Sequence, residues 1–96
     1  LNKKIGSTCS GVGVAVAKRI LRREKIRLAK DTPELAQYIS DVSEELSKYY
    51  ERGKNIIIEG TQGFGLSLYH SPFYPFTTSR DTTAAAFISD CGISPL

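Results

Sequence analysis

The run Asn55-Ile56-Ile57-Ile58-Glu59-Gly60 sets the narrowest limit on how this chain folds. Three consecutive β-branched residues between Gly53 and Gly60 lack any polar alternation, the pattern of a strand covered on both faces in a parallel sheet. One strand is not a sheet, so the expected class is α/β, with about three helices and one or two short strands that belong to something larger. The ends read the same way. The chain begins at Leu1 and stops at Gly-Ile-Ser-Pro-Leu, just past a helix-ending glycine, so residues 1–96 are expected to form one piece of a larger domain.

Ligands of open α/β sheets gather beyond the carboxyl ends of the strands. There the chain places Gly60-Thr61-Gln62-Gly63-Phe64-Gly65 and an aromatic, hydroxyl-rich stretch reaching Thr83. The carboxamide of Gln62 has one acceptor and two donors, enough to grip a purine edge or a phosphate oxygen. Thr77, Thr78 and Ser79 precede a helix and supply hydroxyls of the kind that close around phosphate. Phe73, Tyr74 and Phe76, spaced by Pro72 and Pro75, suit either stacking on a base or a small core that shapes the loop, and the second use is commoner. His70, the one histidine, has no nearby nucleophile with an orienting acid and reads as structural.

Three helices are expected around this loop. A short extended piece before Gly6 leads through Gly6-Ser7-Thr8-Cys9-Ser10-Gly11 into a helix from about Gly13, whose apolar stripe takes in Val14 or Val16, Ala17, Ile20 and Leu21. The loop therefore lies at a helix N-terminus, where free N–H groups and the helix dipole favour an anion and Ser7, Thr8 and Ser10 add donors. The second helix is expected to be capped by Asp31 or Thr32, with Pro33 in its first turn. It continues through Leu35, Tyr38, Val42, Leu46 and Tyr49 to Glu51 and ends at Gly53. Its acids, Glu34, Asp41, Glu44, Glu45 and Glu51, read as a solvated face. The third runs from Thr82 to Cys91, capped by Asp81 and closed by Gly92.

Gly6 and Gly11 have the spacing of the phosphate loop GxxxxGK[ST], but Val12 and Gly13 stand where Lys and Ser or Thr are required. No lysine reaches a terminal phosphate and no hydroxyl meets magnesium, so this loop is not one that hydrolyses NTP. A tight turn explains Gly63 and Gly65 as well as a phosphate does.

Composition removes several classes. A charged fraction of 24% and a hydrophobic fraction of 41% are those of an ordinary globular protein. No apolar run approaches the roughly 20 residues of a membrane span, and a cytoplasmic protein without membrane or nucleic-acid partners is expected. Cys9 and Cys91 lie at opposite ends with no Cys/His cluster, so neither a metal nor a disulfide framework is indicated, and both are expected to be reduced and structural. The net charge of +3 arises largely between Lys18 and Lys30, a basic stretch suited to phosphate but more often a solvated face.

Two long stretches resemble the adenylosuccinate synthetase family. Residues 5–23, IGSTCSGVGVAVAKRILRR, are similar to its I-G-T-T-x-x-G-I-G-P-A-Y-x-x-K-x-x-R signature. Residues 56–70 and 74–84, IIIEGTQGFGLSLYH and YPFTTSRDTTA, are similar to its F-E-G-A-Q-G-x-x-L-D-x-D-H-G-T-Y-P-x-V-T-S-S-N-T-T-A. The middle helix shows no such likeness. The resemblance implies a fragment of a P-loop-like α/β fold and, for the parent protein, a GTP-dependent ligase of purine biosynthesis that joins aspartate to inosine monophosphate (IMP) through a 6-phosphoryl intermediate. It implies that Ser7, Thr8, Gln62 and Thr78 bind the purine nucleoside monophosphate, and that Arg22 reaches the neighbouring subunit's site in a homodimer. Magnesium and GTP (or ATP) belong to the parent enzyme. The family's G-D-E-G-K-G-K segment, catalytic His, aspartate-binding loop and guanine-reading motif have no counterpart in these residues. The chain alone is thus expected to hold no catalytic or metal-binding residue and to be inactive without the remainder of its parent.

The departures are specific. Val14 and Val16 replace Pro and Tyr, Arg19 replaces Lys, the linking segment is shorter, and Ser71-Pro72-Phe73 enlarges the last loop. GTQGFGLSL with TTSRDTT is closer to a divergent phage-type branch that includes synthases joining aspartate to deoxyguanylate, so the purine stays open. A free-standing nucleotide-binding or interaction module without chemistry is the alternative from another class.

Overall fold

A computed structural model describes residues 2–23 and 25–95. Among the described residues four α-helices follow in order: α1 Asn2–Ile5, α2 Val12–Leu21, α3 Val42–Glu51 and α4 Ala84–Asp90, with 3₁₀ turns at Ala29–Asp31, Pro33–Tyr38 and Phe64–Leu66. The three longer helices match the expected number. The opening residues are a single helical turn, not an extended piece.

No strand forms among the described residues, and Asn55–Ile58 run without a ladder partner. The physical reason is the one already visible in sequence: a strand patterned for burial on both faces has no N–H or C=O partner until neighbours flank it. Ile57 is 92% exposed. An open groove of about 300 Å³ beside it is walled by Ile56, Ile58, Ile88 and Ile93. The α/β class is therefore not expressed within this stretch.

The second helix is two elements. Thr32 precedes Pro33–Tyr38, whose bonds are of the tighter i→i+3 kind, with Leu35 N–H donating to Thr32 and Ile39 N–H to Ala36 at 2.9 and 3.2 Å. Ile39 turns extended, and Asp41 then caps α3 by accepting the Glu44 N–H at 3.0 Å. Asp41 is thus the cap of α3 as well as an exposed acid, because a short carboxylate competes for the backbone and favours a fresh helix start. Asp31 accepts the Leu28 N–H at 2.9 Å. The end of α3 is as expected: Gly53 has φ 67, its N–H donates to Tyr50, and Lys54 N–H reaches Tyr49, a Schellman closure.

No hydrophobic side chain is buried among the described residues; Ser67 at 0% and Thr82 at 2% exposure are the buried side chains. The accessible surface is 8296 Å², against about 5,500 Å² for a compact protein of this mass. The radius of gyration, 16.0 Å, likewise exceeds the roughly 13 Å of a compact chain of this length. Apolar faces of α2, α3 and the Ile56–Ile58 run are laid out without a covering layer.

Two contacts nevertheless fix the loops. A Cβ on Gly60 would overlap the Phe87 ring of α4, so the chain beyond Ile58 rests on that helix only because position 60 has no side chain. Ser43 Oγ donates to the Gly92 carbonyl at 3.1 Å, tying the start of α3 to the end of α4. In the parent protein Gly60→Ala is expected to lower stability by about 1–3 kcal/mol, the usual penalty of overpacking. Adding Phe87→Leu should return much of the melting temperature, which thermal denaturation of single and double variants checks.

Candidate functional site between two glycine-bearing loops

Gly11 takes φ 87 as the N-cap of α2 and offers no side-chain cap. The first intrahelical bond is made by Ala15 N–H to Gly11 at 3.0 Å. The N–H groups of Val12, Gly13 and Val14 are therefore the unpaired donors of a helix start, with no acid in the first turn to consume them. Within the preceding loop, Ser7 Oγ accepts from Cys9 N–H at 3.1 Å, and the Thr8 and Ser10 hydroxyls lie 3.2 Å apart. Ser7 is half-buried and Thr8 exposed. Cys9 is an exposed free thiol and Cys91 a half-buried one, so burial does not give Cys9 a structural role.

Gln62 is exposed at φ 60, and Thr61 Oγ1 donates to its Oε1 at 2.9 Å, which orients the carboxamide and leaves its amide donors for a ligand. Thr78 is half-buried, with its N–H donating to the Leu66 carbonyl at 2.9 Å. Leu68 N–H reaches Arg80 at 3.0 Å. These bonds lay the Thr78 segment along the Gln62 loop.

The two loops meet at Gly13. A Cβ there would come within 3.3 Å of Ser79 Cβ, so the first turn of α2 rests on the residue next to Thr78. Sequence separates these groups widely; the fold joins them. Arg22 is elsewhere. It caps the far end of α2 at φ 54, exposed, with its N–H on Lys18 at 3.1 Å. A ten-residue helix puts it roughly 15 Å from the loop at the other end. Ser7, Thr8 and Thr78 are thus brought to one end of α2, with the Gln62 loop laid along the Thr78 segment, and Arg22 stands apart. The basic stretch is also divided: α2 ends at Leu21, and Lys25 and Arg27 lie outside any helix.

Cys9, Arg22 and Gln62 are the non-glycine residues with positive φ among those described. Such backbone costs on the order of 1–3 kcal/mol per residue and gathers where a site is held in shape.

What shapes the longer loop is polar. Phe73, Tyr74 and Phe76 are 64%, 69% and 58% exposed, so they are not its core. The chain instead winds round Ser67. Its hydroxyl donates to Asp81 Oδ1 at 2.8 Å and accepts the N–H groups of Tyr69 and His70 at 3.2 and 3.3 Å. Asp81 also accepts the N–H and Oγ1–H of Thr83 at 3.1 and 3.0 Å. The cap of α4 is Thr83, which accepts Ala86 N–H at 3.2 Å; Asp81, expected as the cap, lies in the loop network. Thr82 Oγ1 donates to the Gly63 carbonyl at 2.7 Å. His70 is exposed and its ring stacks on Phe64 with centroids 5.8 Å apart. Sequence reading missed Ser67 and Thr82 because nothing local marks a hydroxyl whose partner lies far along the chain.

Burial alone pushes the Asp81 carboxyl up, but hydrogen bonds from Ser67 and Thr83 and the neighbouring His70 charge outweigh it, and its pKa falls below the ordinary 3.8. A lowered folded pKa means that the ionised carboxylate stabilises the loop above pH 3.8, and that this contribution is lost as pH falls through the lower folded value. The protection of the Tyr69 and His70 amides in the parent protein, measured against their intrinsic exchange rates, is expected to fall in that acid range. Asp81→Asn should remove the acid-dependent step.

A helix start with unspent donors, docked on a hydroxyl-bearing loop, is an arrangement chemically suited to an anion. The sequence model described as Adenylosuccinate synthetase matches residues 26–96. The adenylosuccinate synthetases of Thermococcus onnurineus and Methanosphaera stadtmanae are each 53% identical to this chain over 95 residues, covering 99% of it and 27% of their own length. That of Methanocaldococcus jannaschii is 50% identical over the same span. The chain belongs to the adenylosuccinate synthetase family. It spans 27% of the length of these relatives. The middle segment, in which the sequence motifs gave no likeness, lies inside both kinds of match. No described helix is long and apolar enough to cross a membrane.

Proposed function

We propose that this chain is part of one larger α/β domain of a cytoplasmic, adenylosuccinate synthetase-type ligase, and that it supplies the loops that bind the purine nucleoside monophosphate. The observation that carries the reading is the docking of Gly13 on Ser79, which sets the α2 N-terminus beside Thr78. In this reading the N–H groups at the start of α2 and the Ser7 and Thr8 hydroxyls receive the phosphate, Thr78 adds a hydroxyl, and Gln62 addresses the nucleotide with its amide donors.

In the parent enzyme the γ-phosphoryl of GTP passes to O6 of IMP. The aspartate amine then attacks C6, inorganic phosphate leaves with the O6 oxygen, and the amine gives up its proton. The residues of this chain do not touch those bonds; they hold the nucleotide still while the bonds change. Magnesium, when bound, neutralises charge on the transferring phosphoryl group. The metal and GTP are assigned to the rest of the parent chain because Val12 and Gly13 stand where a phosphate loop needs its lysine and magnesium-binding hydroxyl. IMP is favoured over deoxyguanylate because the relatives that match nearly the whole chain carry the adenylosuccinate synthetase name.

The test is turnover by the full-length protein with aspartate, GTP and magnesium. Adenylosuccinate formation from IMP is expected. Product from deoxyguanylate alone would reassign the purine, and nucleotide binding without turnover would favour the non-catalytic module.

A further inference from the structure

Each of the two residues assigned to the nucleotide on the longer loop lies beside an anchored peptide. Gln62 precedes Gly63, whose carbonyl accepts the Thr82 hydroxyl at 2.7 Å. Thr78 is bonded through its N–H to Leu66, the residue before Ser67, and Ser67 Oγ donates to Asp81 at 2.8 Å. The anchoring hydroxyls belong to the buried side chains among the described residues, Ser67 and Thr82. The groups they hold are exposed or half-buried, and Gln62 is kept at a positive φ that a non-glycine residue adopts only when its surroundings impose it. With no apolar core, the loop keeps its two ends in register through these side-chain bonds together with the Thr78–Leu66 and Leu68–Arg80 backbone bonds.

We propose that Thr82 and the Ser67–Asp81 pair are positioning residues for nucleotide recognition: they clamp the two ends of the loop so that Gln62 and Thr78 address one nucleotide together. This rests on the assignment of Gln62 and Thr78 made above. None of the three clamp residues touches the ligand. Their effect is to remove the conformational freedom that the loop would otherwise lose on binding.

The experiment uses the full-length enzyme and separates nucleotide recognition from the rest. Thr82→Val keeps the shape and deletes the hydroxyl; Thr82→Ser keeps the hydroxyl. The expected result for Thr82→Val is a KM for IMP raised about tenfold, the effect of losing one structural hydrogen bond, with the KM for GTP unchanged and Thr82→Ser close to wild type. A merely structural role would lower the melting temperature and active fraction while leaving both KM values alone, and that result overturns the proposal. Where Thr82→Val does not yield folded enzyme, Ser67→Ala carries the same comparison without adding volume. An IMP KM raised about tenfold supports the clamp, and an unchanged one overturns it. Gln62→Ala and Thr78→Ala run alongside. If they weaken IMP binding and the clamp variants do not, the clamp fails and the site assignment stands. If they leave binding unchanged, the site assignment fails and the clamp with it.

Discussion

Purified alone, the 96-residue chain is expected to show no cooperative thermal transition and to release no phosphate from GTP or ATP in the presence of IMP, aspartate and magnesium. The first half follows from burial. No hydrophobic side chain is buried among the described residues, while Ile57, Ile20, Val14 and Leu21 are exposed. Ordering a residue costs roughly 1–2 kcal/mol of backbone entropy, and apolar burial is the main term that offsets it. Local bonds such as the Lys48–Glu44 pair at 2.6 Å cannot substitute, since exposed pairs of this kind contribute about 0.3–0.5 kcal/mol. The second half follows from the missing phosphate loop: Val12 and Gly13 stand where a lysine and a magnesium-binding hydroxyl would be needed. A sharp calorimetric transition, or turnover above a heat-treated control, would contradict it.

Arg22 is expected to act across a two-fold dimer. It lies at the opposite end of α2 from the Gly6–Gly11 loop, exposed and held at φ 54, and so stands apart from the chain's own candidate site. A guanidinium binds phosphate oxygens through two parallel hydrogen bonds that an ammonium cannot reproduce, so even Arg22→Lys should weaken nucleotide binding. Full-length Arg22→Ala and Gln62→Ala should each be inactive at low nucleotide, yet regain activity when mixed. Random exchange makes half the dimers hybrid with one intact site each, giving roughly a quarter of wild-type activity. No recovery despite confirmed subunit exchange, or full activity of Arg22→Ala at low IMP, would refute the trans role.

Features decided within a few residues were legible in the sequence. Gly53 and Gly92 end α3 and α4 at positive φ, and the Gly6–Gly11 loop does open α2, because turn and cap chemistry is local. Asp41 was read only in part: its exposed acid was noticed, and its capping of α3 was not. Features decided by partners were not legible. The Ile56–Ile58 run needs flanking strands before it becomes one. The aromatic residues at 73, 74 and 76 look like a loop core but stand exposed, since the loop is held by Ser67–Asp81 and Thr82–Gly63 bonds spanning 14 and 19 residues. No periodicity encodes such pairs. Of the candidate site, the residue types were legible, whereas the Gly13–Ser79 docking that joins its two halves became visible only in three dimensions.

The central claim is that the two loops hold a purine nucleoside monophosphate, and calorimetric titration of IMP into full-length wild type, Gln62→Ala and Thr78→Ala tests it most directly. Each substitution leaves a polar group of the ligand without its partner and is expected to weaken binding by about 1–3 kcal/mol, with the melting temperature of the unliganded protein little changed. Wild-type affinity for IMP in both folded variants would contradict the account.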